Sequence, residues 1–182
     1  GSAWLLSDII SRAGLPEGVF NLVMGQGRHV GQAIVDHNDV AGVSFTGSTA
    51  VGRQIGAILF QRGARMQLEM GGKNPLIVLD DADLDLAVDC AIQGAYFSTG
   101  QRCTASSRLI VTEGIHDAFI CAMTNRLSGL VVGNARDPQT QMGPVVSAEQ
   151  LEIDQNYIEI GCTEGAELIH GGKCPENIPN GY

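Results

Sequence analysis

No apolar run in this sequence approaches the roughly 18 residues that a helical membrane span requires, and the first residues lack the basic-then-apolar order of a secretory leader. A soluble, cytoplasmic protein is therefore expected. Basic residues are scarce: 11 Lys and Arg stand against 20 Asp and Glu, a formal charge of −9. That balance speaks against nucleic acid or an anionic membrane surface as a partner, because both demand a basic face. The five cysteines, Cys90, Cys103, Cys121, Cys162 and Cys174, form no C-x-x-C pair and make an odd number. They fit neither a disulfide framework nor a zinc site, so reduced thiols are expected. His29, His37, His116 and His170 are dispersed without i, i+4 spacing, and no metal site is expected.

What is present is a chain of 182 residues, 44% hydrophobic, long enough for an ordinary globular core. No internal repeat or low-complexity segment interrupts it. The spacing predicts a helix over residues 4–10 that stops at Gly14, with Pro16 just beyond. Residues 19–24 read as a short buried strand. Gly25-Gln26-Gly27-Arg28-His29-Val30-Gly31 imitates a dinucleotide fingerprint, yet Val30 stands where the last glycine belongs. A strand-to-helix turn explains it equally well, and Gly25 and Gly27 stay as candidate cofactor contacts. A short helix over residues 30–35 and a strand over 41–45 follow.

Phe45-Thr46-Gly47-Ser48-Thr49 runs from a strand through glycine into Ser48, a good N-cap, and a helix reaching about Gly63. Such a helix start suits an anion, with Gly52 leaving room for close approach. The Gly47 to Gly52 spacing also mimics a P-loop, but Arg53 and Gln54 occupy the lysine and hydroxyl positions, which rejects nucleotide hydrolysis. Residues 66–69 and 75–79 are expected strands, and residues 84–97 a helix with Cys90 in the core. Asp81, Asp83 and Asp85 imitate half an EF-hand loop, which Leu86 and Ile92 then break. They are better explained as acids at a helix N-terminus. Beyond lie an expected buried strand at 109–111, an amphipathic helix at 115–127, turns around 133–138, a helix at 147–161, a short strand at 166–169 and a loop-like tail from Cys174.

Two stretches carry chemistry. In Ser98-Thr99-Gly100-Gln101-Arg102-Cys103-Thr104, a lone cysteine sits beside a cation among small polar residues. A neighbouring positive charge favours thiolate, so Cys103 is a candidate nucleophile, the bland alternative being a half-buried structural thiol. In Gln67-Leu68-Glu69-Met70-Gly71-Gly72-Lys73, one carboxylate ends a short apolar run before paired glycines. Glu69 is either a solvated strand end or a general base tuned by burial.

Together, Leu68-Glu69-Met70-Gly71-Gly72-Lys73-Asn74-Pro75, Gly100-Gln101-Arg102-Cys103, Phe45-Thr46-Gly47-Ser48-Thr49 and Met142-Gly143-Pro144-Val145 resemble the aldehyde dehydrogenase superfamily along essentially the whole chain. The resemblance implies an α/β fold: the C-terminal part of a Rossmann-type NAD(P)-binding domain over residues 1–70, then the N-terminal part of an α/β catalytic domain over 71–182. It implies that Cys103 attacks an aldehyde, that the thiohemiacetal gives hydride to NAD or NADP, and that Glu69 activates the water that hydrolyses the thioester. The Cys103 N–H would help hold the oxyanion. Ser48, with Gly47, would face the cofactor pyrophosphate, Val51 the adenine, and Met70 with Gly71 the nicotinamide.

The run around Cys103 looks most like dehydrogenases of 2-oxoglutarate and succinate semialdehydes, with Arg102 as a candidate partner for a substrate carboxylate. The family's oxyanion asparagine, adenosine-ribose lysine and later glutamate have no match here, and its members are longer. The chain is therefore expected to be an internal fragment, inactive alone, of an enzyme that forms a dimer or tetramer when full length. Gly1-Ser2 could be a cloning remnant. Two other classes stay open: a cysteine-dependent hydrolase or acyltransferase, which would need one of the histidines as base, and a non-catalytic fold fragment.

Overall fold

The structure, a computed structural model, describes residues 1–175 and residue 181. It divides into two compact units, Gly1–Met70 and Gly71–Tyr182. Among the described residues, no helix is long and apolar enough to cross a membrane.

The first unit begins with α1, Ser2–Arg12, which an Asp8–Arg12 ion pair (2.6 Å) braces one turn apart. No α1 residue is buried. Residues 19–24 form no strand, contrary to their apolar pattern: Val19, Val23 and Met24 are 64%, 63% and 65% exposed. A parallel strand exists only through its neighbour's hydrogen bonds, and none of the described strands pairs with this run. A wide helical turn over Gly27–Gly31 leads into α2, Gln32–Asp36. Then come β1, Gly42–Gly47, α3, Thr49–Arg62, and β2, Arg65–Met70. β1 and β2 pair in parallel from Gly42↔Arg65 to Gly47↔Met70, and α3 packs against both strands. Gly63 ends α3 at φ 64, a left-handed conformation that glycine adopts without a Cβ clash. The Arg62 guanidinium donates to the carbonyls of Val35, His37 and Val40, placing positive charge on the carbonyl end of α2.

The second unit contains β3, Asn74–Val78, α4, Leu84–Ala95, β4, Ser106–Val111, α5, Glu113–Ser128, and α6, Ala148–Thr163. β3 and β4 are parallel, with a register shift between Asn74 and Pro75. Asp83 caps α4 by accepting from Leu86 N at 3.0 Å, and Asp85 lies in the first turn, the dipole-compensating arrangement the acidic run suggests. Val78, Val88, Ala91, Ile92, Ile115, Phe119 and Met123 form one buried cluster, flanked by Leu76, Leu109 and Val111.

Three expectations need correcting here. Cys90 is exposed, not core, because Val88, Ala91 and Ile92 take the buried face of α4 and position 90 lies roughly 200° around from 88. The strand at 109–111 is buried on one face only: Ile110 is 49% exposed, while Leu109 and Val111 meet the core, as alternation dictates. Residues 166–169 form no strand, and Leu168 and Ile169 stay about half exposed. Four apolar-leaning residues without a ladder partner have nothing to hold them extended. An isolated bridge, Val132↔Met142, closes the turn region around 133–138. The tail expected as loop falls largely at residues 176–180 and 182, outside the described residues.

Candidate active site

In the first unit the candidate positions gather where β1 and β2 end and α3 begins. This is the carboxyl edge of a parallel sheet, where open α/β folds place their ligands. Ser48 is extended (φ −70, ψ 148), and its Oγ accepts from Val51 N at 3.4 Å. No acidic residue occupies the first turn of α3, so the positive end of the helix is not offset by its own side chains. Glu69 lies opposite Thr46, and Met70 opposite Gly47. The Glu69 carboxylate is exposed and accepts from Gln67 Nε2 at 3.3 Å.

The glycines here have a local reason that the sequence does not reveal. A Cβ on Gly52 would lie 2.5 Å from Met70 Sδ, and one on Gly47 would lie 2.4 Å from the Phe45 ring. The clearance expected at Gly52 for a ligand is filled by the Met70 side chain. Gly25 similarly backs onto Val30, 2.3 Å from a would-be Cβ, whereas Gly27 faces open space. Gly27 and Val51 line an apolar cavity of about 540 Å³ that also takes in Val35, Phe45, Ile55 and Ile58, with Arg28 beside them.

In the second unit Cys103 is exposed in a tight turn. Ala105 N donates to Arg102 O at 3.0 Å, so Cys103 and Thr104 are its central pair. The Cys103 N–H has no acceptor among the described residues, and Arg102 is exposed next to it. Just upstream, Ser98 (φ 56, ψ 37), Thr99 (φ 54, ψ 24) and Gly100 (φ 67) are all left-handed. A β-branched residue such as Thr99 rarely adopts that conformation, and each non-glycine case costs on the order of 1–3 kcal/mol. Gly100 cannot carry a side chain, since a Cβ would sit 2.7 Å from Ala95 O.

Asn74 is the functional candidate that sequence reasoning missed. Its Nδ2 donates to Cys103 O at 2.7 Å and to Ala105 O at 3.3 Å, while Arg108 Nε donates to Lys73 O at 3.1 Å. The only hint in the sequence is an asparagine placed between paired glycines and a proline. The left-handed pair Ser98-Thr99 had no hint at all. The first unit thus assembles Gly47, Ser48, Val51, Glu69 and Met70, with Gly27 on the cavity beside them. The second assembles Arg102, Cys103 and Asn74, with Gly71 at its start.

The sequence profile described as the aldehyde dehydrogenase family matches residues 1–182. The chain is 49% identical over 172 residues to the alpha-ketoglutaric semialdehyde dehydrogenase of Bacillus subtilis, covering 93% of this chain and 35% of that protein. It is 45% identical over 174 residues to a betaine aldehyde dehydrogenase of Mesorhizobium japonicum, covering 96% and 36%. Among solved structures, a betaine aldehyde dehydrogenase of Staphylococcus aureus in complex with NAD+ superposes with a TM-score of 0.92 at 39% identity, covering 95% of this chain and 34% of that one. The chain therefore spans about a third of the length of the relatives it matches.

Proposed function

Because the chain belongs to the aldehyde dehydrogenase family, we propose that it is the central part of an enzyme that oxidises an aldehyde to a carboxylic acid with NAD or NADP. The observation that carries the assignment within this chain is Cys103 exposed in a turn with its N–H uncommitted. A nucleophile and an oxyanion donor thereby belong to one residue. Cys103 Sγ adds to the aldehyde carbon, and the carbonyl oxygen becomes the hydroxyl of a thiohemiacetal. Loss of that proton and of a hydride leaves a thioester on Cys103. Glu69 takes a proton from water, the hydroxide adds to the thioester carbonyl, and the acid departs as the thiol is restored.

NAD or NADP, when bound, supplies the hydride acceptor. The residues present fit part of such a group. The Ser48-capped helix start, without a first-turn acid, suits a pyrophosphate, and the apolar cavity lined by Val51, Val35 and Ile55 suits an adenine. Met70 and Gly71 follow Glu69 directly and are assigned to the nicotinamide side.

For the substrate we assign an oxo-acid semialdehyde. Arg102 is exposed beside the nucleophile and can meet a carboxylate bidentately, and the 49%-identical Bacillus subtilis relative is named for such a substrate. The proposal includes a cytoplasmic homo-oligomer as the working form. The deciding assay gives the full-length enzyme and its Cys103→Ala variant a panel of semialdehydes with either cofactor. Aldehyde-dependent NAD(P)H formation that vanishes in the variant is the expected result. Cofactor-independent cleavage of acyl esters would support the cysteine hydrolase instead, and neither activity would leave a non-catalytic fragment.

A further inference from the structure

Between the two parallel strands of the second unit, one side chain joins the nucleophile turn to the strand that follows Glu69. Asn74 opens β3, and its amide reaches two carbonyls of the Cys103 turn: Cys103 O at 2.7 Å and Ala105 O at 3.3 Å. These are the carbonyls of the second and fourth residues of the turn that Ala105 N closes on Arg102 O. The turn is thus held from inside by a backbone bond and from outside by an amide. The register supports the same picture. Asn74 pairs with Ser106 but Pro75 pairs with Arg108, so Ser107 is an extra residue on β4 at this point. A bulge frees the local ladder and re-aims a side chain, and Pro75, lacking an N–H, loses nothing by sitting there.

We propose that Asn74 is a positioning residue for Cys103. Its double donation fixes the Cys103 carbonyl, and with it the rotation of the residue whose Sγ attacks and whose N–H receives the oxyanion. The turn needs an external hold. Its upstream flank is the left-handed run Ser98-Thr99-Gly100, and all of residues 101–104 are exposed, so packing does not secure it. An exposed turn with a strained flank keeps one geometry only if hydrogen bonds over-determine it. This inference rests on the dehydrogenase reading for its catalytic consequence, but not for its geometric one.

The test uses the full-length enzyme with Asn74→Asp, which keeps the shape but replaces the donor by an acceptor facing two carbonyls, and with Asn74→Ala and Asn74→Ser. Three measurements are made: the second-order rate of Cys103 alkylation by iodoacetamide against pH, kcat and KM for the aldehyde, and thermal midpoint with cofactor affinity. Asn74→Asp and Asn74→Ala are expected to lower kcat about 10- to 100-fold, the span of one or two neutral hydrogen bonds, with aldehyde KM and cofactor affinity within about threefold. The alkylation rate should change at least threefold at fixed pH, or its pH midpoint should shift. Asn74→Ser, which keeps a short donor, should recover part of both losses. If Asn74→Asp does not fold, Asn74→Ala decides between the outcomes. Values of kcat and alkylation rate both within twofold of the parent would overturn the proposal, as would a loss of kcat matched by equal losses in cofactor affinity and thermal midpoint. If the parent shows no aldehyde oxidation, the dehydrogenase reading fails, and alkylation alone still decides whether Asn74 sets the Cys103 turn.

Discussion

The two units of this chain use similar apolar material to different ends. In residues 71–175, two helices close over two strands, and Val78, Val88, Ala91, Ile92, Ile115, Phe119 and Met123 form a contiguous interior. In residues 1–70, Val35 and Leu59 are the buried apolar side chains among the described residues, while Trp4, Leu5, Leu6, Phe20 and Val23 remain 60%, 52%, 57%, 45% and 63% exposed. The difference lies in layers. Both units hold a two-stranded parallel sheet, a kind ordinarily covered on both faces; in the second α4 and α5 pack on each other and on β4, whereas in the first the sheet is packed chiefly by α3. Chemistry divides along the same line. The unit with its own core carries the proposed nucleophile, Cys103, and the thinly packed unit carries the Ser48 helix start and the Glu69 carboxylate.

The sharpest way to break that division is to remove one reactive group from each side. Cys103→Ala should abolish NAD(P)H formation entirely in the full-length enzyme while cofactor affinity stays within a few-fold. Glu69→Gln should keep a first burst of NAD(P)H and lower steady turnover by roughly two to four orders of magnitude, the range of a positioned general base. Stopped-flow absorbance separates the phases, and loss of the burst in Glu69→Gln would assign Glu69 to thiol activation.

Stability should divide the same way. Phe119 is fully buried, and Phe119→Ala is expected to cost about 3–5 kcal/mol. Trp4→Ala, from a side chain 60% exposed, should cost under about 1 kcal/mol. Trp4 is the one tryptophan of the sequence, so its fluorescence reports the first unit in urea, while far-ultraviolet dichroism reports both. Non-coincident transitions are expected in the 182-residue chain, with Phe119→Ala moving only the dichroism. A single coincident transition would mean that the units fold as one.

A smaller effect tests the helix start. Ser48→Ala removes the acceptor for Val51 N and should cost about 1 kcal/mol, with a parallel fall in cofactor affinity measurable by calorimetry. An unchanged affinity would detach Ser48 from the pyrophosphate. The smallest concerns Tyr96, whose phenol is raised above its ordinary value by burial against the second core. The folded state then resists ionisation that the unfolded chain allows, so this contribution is complete below about pH 10 and declines as pH rises through the folded value. Urea midpoints at about pH 9 and pH 11, on either side of the ordinary tyrosine value, should differ less in Tyr96→Phe than in the parent.

Much of this architecture is local in origin and therefore readable along the chain. Ser48 after a glycine turn, Gly63 after the last apolar position of α3 and Asp83 before α4 mark helix ends because their own side chains or backbone freedom do the capping. The motifs around Glu69 and Cys103 were legible for a different reason: their residues are contiguous, so the family resemblance survives in one dimension. Residues 19–24 and 166–169 show the limit, since apolar runs announce a need for burial but cannot name the strand that would pair with them. The rest belongs to tertiary structure. Cys90 turned outward because its neighbours on α4 claimed the core, and the room at Gly52 on α3 was taken by Met70 from β2. Asn74 reached the Cys103 turn only because β3 and β4 lie side by side with a bulge between them. Contacts between residues far apart in sequence follow from register and packing, which no single stretch of the chain encodes.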